Sequence, residues 1–337
     1  MKKNNTIRKI AVVGDGGWGT TLAIVLAGKS LDVSIWGPFP AYLNEMNKSR
    51  VNSKFLPGIV LPKSIRFESN LTTAVSSADL IVFAIPSKFA SAVIRSLKQT
   101  EIRFKDKAVL SVTKGIDTQS LLRISQIMIK ELNPKFFGVL SGPTIASEVA
   151  LGIPSTAVIS SKNILFAEKL QGIFNTKTFR IYVNADIAGL EIGGSVKNVI
   201  AIACGVCDGL GFGTNTKAAI VTRGLAEMAR LGKKMGANAE TFCGLSGLGD
   251  LVTTCFSPKS RNRTVGEQLG KGKGIRSILS DMDMVAEGVE TAKAVFKLSK
   301  KYKVEMPITE MVCKILYKNK KPKDAVNDLM RRKPKSE

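Results

Sequence analysis

Lysine and aspartate are the residues best placed to move protons in this chain, because none of its 337 residues is a histidine. Mechanisms that use imidazole, including Ser-His-Asp hydrolysis and catalysis by histidine-bound zinc, are therefore excluded. Any general acid or base must be Lys, Asp, Glu, Tyr or Cys. Lys197 lies in an otherwise apolar run of helical period, where a lysine is costly unless it is paired or catalytic. We predict that Lys197 and Asp250 share the proton chemistry.

Cationic and small residues in three further segments could bind an anionic substrate. Lys114 follows one predicted strand, and Gly142 and Thr144 follow the next. Ligands of open parallel sheets lie beyond the carboxyl ends of the strands, which favours both loops as binding sites. A third segment, Ser260-Arg261-Asn262, adds an arginine that could hold a phosphate together with Lys114. The alternatives are ordinary turns for the two loops, a solvated loop for residues 260–262 and a helix N-cap for Asp250.

A glycine-rich loop precedes these segments and points to a dinucleotide. The run Gly14-Asp-Gly16-Gly-Trp-Gly19 joins an apolar strand to a segment of helical period. Gly14 permits a tight turn, Gly16 lets the backbone approach a pyrophosphate, and Gly19 lets the helix pack against the strand. The pattern predicts dinucleotide binding, with a merely tight turn as the alternative. The Asp15 carboxylate does not suit a phosphate loop, so we expect it to point into solvent.

The choice between NAD and NADP is usually set about 20 residues after such a loop. An acidic residue there accepts the ribose hydroxyls of NAD, whereas an arginine pairs with the 2′-phosphate of NADP. The segment at residues 34–40, Ser-Ile-Trp-Gly-Pro-Phe-Pro, offers neither. Because no carboxylate repels a phosphate there, the segment favours NADPH or use of both cofactors.

The elements that must position these residues fall into two groups. Up to about Val183, β-branched apolar runs alternate with helical segments, as in a parallel sheet built from βαβ units. After Ala188 the pattern is helical and interrupted by Gly and Pro. We therefore predict an α/β Rossmann-type domain with a mostly parallel sheet at residues 1–187 and an all-helical domain at 188–337. The predicted strands are Lys9–Val13, Asp32–Trp36, Asp79–Ala84, Ala108–Val112, Phe137–Leu140, Thr156–Ile159 and Phe179–Tyr182.

Composition bears on partners and compartment. The net charge of +23 is spread along the whole chain, which favours a solvated basic surface that attracts small anions over a nucleic-acid site. No run approaches 18 uninterrupted apolar residues and no signal peptide is recognisable, so we expect a cytoplasmic protein without a membrane span. The five cysteines suit a reduced compartment. Cys204 and Cys207 have redox or metal spacing, but their apolar surroundings favour buried thiols.

Together these motifs resemble the bacterial-type NAD(P)-dependent glycerol-3-phosphate dehydrogenase family, in the same order and over nearly the whole chain. The matching segments are the glycine loop with Trp18-Gly-Thr, Thr113-Lys-Gly, Ser141-Gly-Pro-Thr, Lys197-Asn-Val-Ile-Ala, Asn215, Thr222-Arg-Gly-Leu, Gly247-Leu-Gly-Asp-Leu, Ser260-Arg-Asn and Glu287-Gly. The chain departs from the family at Asp15, where Ala or Ser is more usual, at Gly17, where Ser is, and at Gly37-Pro38, where a basic residue often occurs. Other carbonyl reductases of this architecture, and a nucleotide sensor without turnover, remain alternatives.

The resemblance implies reduction of dihydroxyacetone phosphate to sn-glycerol 3-phosphate for phospholipid synthesis, with NAD or NADP as cofactor, by an enzyme that could be a homodimer. It implies that Lys197 accepts the proton during oxidation. The implied substrate-binding residues are Lys114, Gly142, Thr144, Lys197, Asp250, Ser260, Arg261 and Asn262. The implied cofactor-binding residues are Gly14, Gly16, Gly17, Trp18, Gly19, Lys114, Ala146, Arg261, Val285 and Glu287.

Overall fold

A computed structural model of the protein describes residues 7–282, 285–334 and 336. One sheet contains eight strands in the order β10, β9, β8, β7, β6, β1, β2 and β5, and a separate antiparallel pair joins β3 to β4. Neighbouring strands of the large sheet run parallel except for β8 and β9. The strands are β1 (Lys9–Val13), β2 (Asp32–Trp36), β3 (Val51–Asn52), β4 (Leu56–Val60), β5 (Arg66–Glu68), β6 (Leu80–Phe83), β7 (Ala108–Ser111), β8 (Phe136–Ser141), β9 (Ser155–Ser160) and β10 (Phe179–Asn184).

Burial explains why the central strands of this sheet read as continuous apolar runs. Every residue of β6 and of β7 is buried. A parallel sheet needs crossover helices that cover its faces, so its inner strands lose the alternation of polar and apolar residues. The helices of this half are α1 (Gly17–Ala27), α2 (Pro40–Ser49), α3 (Leu71–Ser76), α4 (Ser87–Lys98), α5 (Ile124–Leu132), α6 (Ala146–Ala150) and α7 (Ile164–Phe174).

The predicted sheet is confirmed, and so are all seven predicted strands. The predicted limits of β1 and β2 are those observed, and the other five differ by one or two residues at one or both ends. Three short strands, β3, β4 and β5, were not predicted. They contain only two to five residues each, and Pro57 and Gly58 interrupt the apolar pattern of β4.

The chain divides into two compact units. The first contains the described residues up to Thr113 together with Ile124–Ile187. The second contains Lys114–Arg123 and the described residues from Ala188 onward. The short segment from Lys114 to Arg123 thus packs with the helical unit, where the Arg123 guanidinium lies 2.6 Å from the buried carboxylate of Glu191.

The secondary-structure elements of the described part of the second unit are helices, as the sequence predicts, apart from an isolated β-bridge between Ile116 and Arg123. A short 3₁₀ helix at Ala239–Cys243 and a π turn at Leu245–Gly249 lead into α10. The α-helices are α8 (Ile187–Gly209), α9 (Thr214–Lys234), α10 (Asp250–Phe256), α11 (Arg261–Gly270), α12 (Ile275–Ser280), α13 (Glu287–Lys301), α14 (Pro307–Lys318) and α15 (Pro322–Met330).

Glycines bring the backbones of α8 and α11 into direct contact. A Cβ atom at Gly205 would lie 2.8 Å from the backbone nitrogen of Glu267, and one at Gly266 would lie 2.8 Å from that of Val206. Such approaches are closer than any side chain tolerates, so only glycine permits this packing. The contact fixes α11, whose first turn carries Arg261 and Asn262, against the middle of α8.

Helix α8 is long and apolar enough to cross a membrane by length and composition alone, but its apolar window is entirely buried inside the protein. Val196, Val199 and Ile200 on this helix are completely covered by the core of the second unit. Protein packing therefore accounts for the apolar surface of α8.

Candidate functional site

The glycine loop follows β1 and makes a tight turn into α1. Gly14 has a φ of +127°, a conformation that L side chains rarely adopt, and its N–H donates to the carbonyl oxygen of Trp36 at 2.9 Å. A Cβ at Gly14 would lie 2.6 Å from the carbonyl oxygen of Ala84, and one at Gly19 would collide with the carbonyl oxygen of Gly14. These two glycines therefore allow the tight turn and the close packing of α1 against β1.

The backbone at Gly16 has open space beside it at the start of α1. Gly16 is the N-cap of α1, and no side chain caps the helix there. A Cβ on Gly16 would meet nothing within 4 Å, whereas one on Gly17 would lie 2.5 Å from the carbonyl oxygen of Phe55. The first amides of a helix lack intrahelical partners and carry partial positive charge. The loop thus fits the pyrophosphate of a dinucleotide, as the glycine spacing indicates.

Asp15 does not point into solvent, and this expectation was wrong. Its side chain is 8% exposed and packs over Gly37, the residue that follows β2. A Cβ on Gly37 would lie 2.6 Å from the Asp15 Cγ and 2.9 Å from its Cβ. The absence of a side chain at residue 37 makes room for the carboxyl group, a tertiary relation that sequence spacing does not reveal. Burial raises the pKa of Asp15, while its backbone hydrogen bond and the charge of Lys54 oppose that rise.

The residues after β8 also lie in the first unit. Gly142 has a φ of +141°, and a Cβ there would lie 3.0 Å from the Cα of Ala157. The Thr144 hydroxyl donates to the carbonyl oxygen of Gly142 at 3.2 Å. Ala146 begins α6 and accepts a hydrogen bond from the Thr21 hydroxyl on α1 at 3.1 Å. The structure therefore joins Ala146 to the helix that follows the glycine loop.

Two lysines share one carboxylate in the second unit. Lys197 on α8 is 6% exposed, and Asp250 at the start of α10 is 1% exposed. The Lys197 ammonium pairs with Oδ1 of Asp250, while Lys114 donates to Oδ2 at 2.8 Å. Lys197 also donates to the Thr254 hydroxyl at 2.8 Å, and that hydroxyl donates to the Asp250 carbonyl oxygen at 2.6 Å. The three charged residues brought together here are those for which the sequence predicts proton and phosphate chemistry.

The surroundings of Lys197 bring its titration close to neutral pH. Burial disfavours the ammonium and lowers the pKa of Lys197 from 10.5 to about 8. The Asp250 carboxylate raises that pKa, and the neighbouring cation Lys114 lowers it. A buried amine with such a pKa can give and take a proton under physiological conditions.

Thr254 is a member of this cluster that the sequence reasoning missed. It follows Asp250 by four residues, so one turn of α10 presents both on the same face. The four-residue spacing from Asp250 is a sequence signal that could have identified Thr254. Asn198, next to Lys197, is a second polar residue of the same apolar run. Its side-chain oxygen accepts from the amide of Asn262 at 2.9 Å.

The segment at residues 260–262 is an ordered helix start, whereas the alternative interpretation was a solvated loop. Ser260 is the N-cap of α11 and accepts from the backbone nitrogen of Arg263 at 3.3 Å. Asn262 is 8% exposed, and its side-chain oxygen accepts from the backbone nitrogen of Gly288 at 2.9 Å. Asn262 therefore ties α11 both to α8 and to the beginning of α13.

Arg261 is the first residue of α11 and is exposed. Its Nη1 donates to the carbonyl oxygen of Val285 at 2.9 Å, and Glu287 two residues later begins α13. The structure thus groups Arg261, Val285 and Glu287, three of the residues that the resemblance assigns to the cofactor. Their binding role stays a prediction.

The cysteines are all free. Cys204, Cys207, Cys255 and Cys313 are buried and Cys243 is exposed, so the predicted buried thiols at residues 204 and 207 are confirmed. Burial raises the pKa of Cys207 to about 12, which keeps it a neutral thiol.

Comparison with known proteins identifies one family over both halves of the chain. Residues 9–167 match the family model for the N-terminus of NAD-dependent glycerol-3-phosphate dehydrogenase, and residues 186–327 match the model for its C-terminus. The chain is 47% identical to a glycerol-3-phosphate dehydrogenase, NAD(P)+, of Chlorobium phaeobacteroides over 98% of this chain and 99% of that protein. It is 46% identical to the protein of the same description from Geobacter sulfurreducens, over 98% of each.

A solved structure extends the similarity to the backbone. The glycerol-3-phosphate dehydrogenase of Coxiella burnetii superposes with a TM-score of 0.91 at 36% identity, over 97% of this chain and 99% of that one. The glycerol-3-phosphate dehydrogenase of Plasmodium falciparum gives a TM-score of 0.88 at 26% identity, over 98% of each chain.

Proposed function

Since the chain belongs to the NAD-dependent glycerol-3-phosphate dehydrogenase family, we propose that it interconverts dihydroxyacetone phosphate and sn-glycerol 3-phosphate with NAD(P) as cofactor. In the reductive direction it supplies sn-glycerol 3-phosphate for glycerophospholipid synthesis. The observation that carries the proposal is the buried pair of Lys197 and Asp250, which holds a titratable amine without a histidine.

The two halves of the chain have separate tasks in this reaction. The domain at residues 1–187 holds the dinucleotide, and the glycine loop supports this assignment because its close backbone contacts exclude side chains where a pyrophosphate must approach. The bound cofactor supplies the hydride. Gly14, Gly16, Gly17, Trp18, Gly19 and Ala146 contact it from this domain, and Lys114, Arg261, Val285 and Glu287 do so from the segments that pack in the helical unit.

Lys197 serves as the proton donor of the reduction. As an ammonium it hydrogen-bonds the substrate carbonyl oxygen and gives up its proton while that oxygen becomes a hydroxyl. In the oxidation the neutral amine accepts the proton. A pKa of about 8 suits both directions because each protonation state is then accessible near neutral pH. Asp250 positions the amine, and Thr254 fixes its direction through the 2.8 Å hydrogen bond.

Cations bind the phosphate of the substrate. Lys114 and Arg261 are the proposed partners, since an ammonium and a guanidinium both form charge-assisted hydrogen bonds with phosphate oxygens. Gly142, Thr144, Ser260 and Asn262 line the remainder of the substrate. Asn262 also fixes the start of α11 through its hydrogen bonds to Asn198 and Gly288.

The proposal is tested by following the loss of reduced-cofactor absorbance when the purified protein meets dihydroxyacetone phosphate, with NADH and NADPH assayed in parallel. Lys197→Met should abolish turnover and leave dinucleotide binding nearly unchanged. Lys297→Met, which removes an exposed lysine of α13, is the matched control and should retain full activity. Substantial turnover by Lys197→Met would refute the assignment of the proton donor. Dinucleotide binding by the wild-type protein without turnover would point to another carbonyl substrate.

We further propose that the enzyme works as a homodimer in the cytoplasm. The dimer rests on the resemblance to the family, and the cytoplasmic compartment is supported by the five free thiols, which a reducing environment preserves. Light scattering of the purified protein tests the first point, and cell fractionation tests the second.

A further inference from the structure

The carboxyl group of Asp15 lies where a dinucleotide-binding protein commonly places the acidic residue that follows its second strand. β2 ends at Trp36, and Gly37 is the next residue. In NAD-binding sheets of this kind, a carboxylate near this strand end accepts hydrogen bonds from the ribose hydroxyls. Here the strand end carries glycine, and the side chain of Asp15 packs over it from the glycine loop.

Asp15 and an acidic residue at position 37 are mutually exclusive. Any Cβ at residue 37 would collide with the Asp15 side chain, which approaches it with the Cβ, Cγ and Oδ2 atoms. Only one carboxylate can therefore lie at the end of β2, either from residue 37 or from the glycine loop. In this chain it is that of Asp15. The loop is held firmly, since the backbone carbonyl oxygen of Asp15 accepts from the amide of Asn52 at 2.8 Å and from the Thr20 hydroxyl at 3.3 Å.

One oxygen of the carboxyl group lacks a hydrogen-bond partner among the described residues. Asp15 Oδ2 is buried without a hydrogen bond to any residue that the structure describes. A buried, unpaired carboxylate oxygen is costly, and such groups call for a specific explanation. Burial raises the pKa of the Asp15 carboxyl group, while its backbone hydrogen bond and the charge of the exposed Lys54 lower it.

We propose that Asp15 recognises the adenosine ribose of the cofactor and makes the enzyme prefer NAD(H) over NADP(H). The ribose hydroxyls of NAD give the carboxylate its missing donors. Because Oδ2 is buried against Gly37, the Asp15 side chain must turn toward the ribose for this oxygen to accept the bond. The 2′-phosphate of NADP has no hydrogen to donate and is repelled by the carboxylate. This inference rests on the proposed function and reverses the NADPH preference expected from residues 34–40.

Binding of oxidised cofactors to the purified protein, measured by calorimetry without substrate, tests the inference separately from turnover. Wild-type protein should bind NAD+ more tightly than NADP+. Asp15→Asn keeps the shape and removes the charge, and it should weaken NAD+ binding about tenfold to a hundredfold, the contribution of hydrogen bonds to a charged group. Binding of NADP+ should be unchanged or tighter. The cofactor-free variant should melt at a higher temperature than wild type, because an unpaired buried charge is gone.

Glu68→Gln is the matched control. Glu68 ends β5 and pairs in register with Trp36, so it places a second carboxylate at the same edge of the sheet. Its Oε1 already accepts from the backbone nitrogen of Asn70 at 2.8 Å, a bond that glutamine can keep. This variant should retain the wild-type ratio of the two affinities.

Four outcomes would overturn the inference. If wild-type protein prefers NADP+, or if Asp15→Asn leaves the affinity ratio unchanged, Asp15 does not select the cofactor although the proposed reaction stands. If Glu68→Gln changes the ratio as much as Asp15→Asn, the selectivity comes from the general charge of the sheet edge. If the wild-type protein binds neither dinucleotide, the proposed function itself fails and this inference fails with it.

Discussion

Replacing Asp250 with Asn is expected to shift the pH dependence of both directions of the reaction toward lower pH. In the wild-type enzyme, reduction requires the Lys197 ammonium, so kcat/KM for reduction should fall as the pH rises through about 8. Oxidation requires the neutral amine and should rise over the same range. Asp250 stabilises the ammonium through the contact with its Oδ1 atom, and it also holds Lys114 through Oδ2. Its removal leaves two adjacent cations without their shared counter-charge.

The size of the effect follows from this geometry. Loss of an opposite charge in direct contact lowers the pKa of a cation by about 1 to 3 units. With a pKa of about 8, Lys197 is roughly nine-tenths protonated at pH 7. A fall of about 2 units would leave about one-tenth protonated, so reduction at pH 7 should slow about tenfold. Because breaking a buried ion pair also costs about 3 to 5 kcal/mol, the folded fraction of the variant must be measured alongside.

The assay is the pH profile of kcat/KM in both directions for the wild-type enzyme, Asp250→Asn and Asp208→Asn. Asp208 is a suitable control because it also pairs with two cations, Lys217 and Arg263, each at 2.7 Å. Asp208→Asn should cost stability without moving the inflection near pH 8. An unchanged inflection in a well-folded Asp250→Asn enzyme would refute the electrostatic role of Asp250.

Two further predictions concern the packing of the second unit. Gly266→Ala should lower the free energy of unfolding by about 3 kcal/mol or more, since its Cβ would press on the backbone of α8 at Ile202. Gly172→Ala, in open space on α7, is the control and should be neutral or slightly stabilising. Equal effects of the two substitutions in urea unfolding would contradict the argument. Glu227→Ala should lower the free energy of unfolding by about 2 to 4 kcal/mol, because it leaves the buried donors of Ile308 and Thr309 at the start of α14 unpaired. A decrease below about 1 kcal/mol in the same assay would count against that reasoning.

The sheet could be predicted from the sequence because its signals are local. A buried strand such as β6 appears as a short apolar run bounded by turns, and the alternation of such runs with helical segments indicates parallel pairing. The antiparallel pairing of β8 with β9 has no comparable signal, since it depends on which edge of the sheet the returning chain joins. The strands β3 and β5 are too short to leave a pattern of their own.

The candidate site was predictable in its residue types but not in its pairings. Lys197 stands out because a lysine in an apolar helical run needs a partner, and Asp250 because it follows a glycine-rich turn. Asp250 pairs with both Lys197 and Lys114. These pairings depend on the tertiary structure, since the three residues are far apart along the chain. Thr254 became visible only through its place one helical turn after Asp250.

Asp15 and Asp250 are both buried carboxylates, but their desolvation is compensated in different ways. Both carboxylates are more than nine-tenths buried, and burying a charged group is costly unless it is paired. The contacts of Asp250 with Lys197 and Lys114 offset that cost, so Asp250 organises the amines of the cofactor-free protein. Among the described residues, Oδ2 of Asp15 has no hydrogen-bond partner, and the exposed Lys54 lowers the pKa of this carboxyl group against the effect of burial. A cost left unbalanced in the free protein is offset when a ligand brings hydrogen-bond donors, which is why Asp15, and not the better-satisfied Asp250, is the carboxylate that discriminates between cofactors.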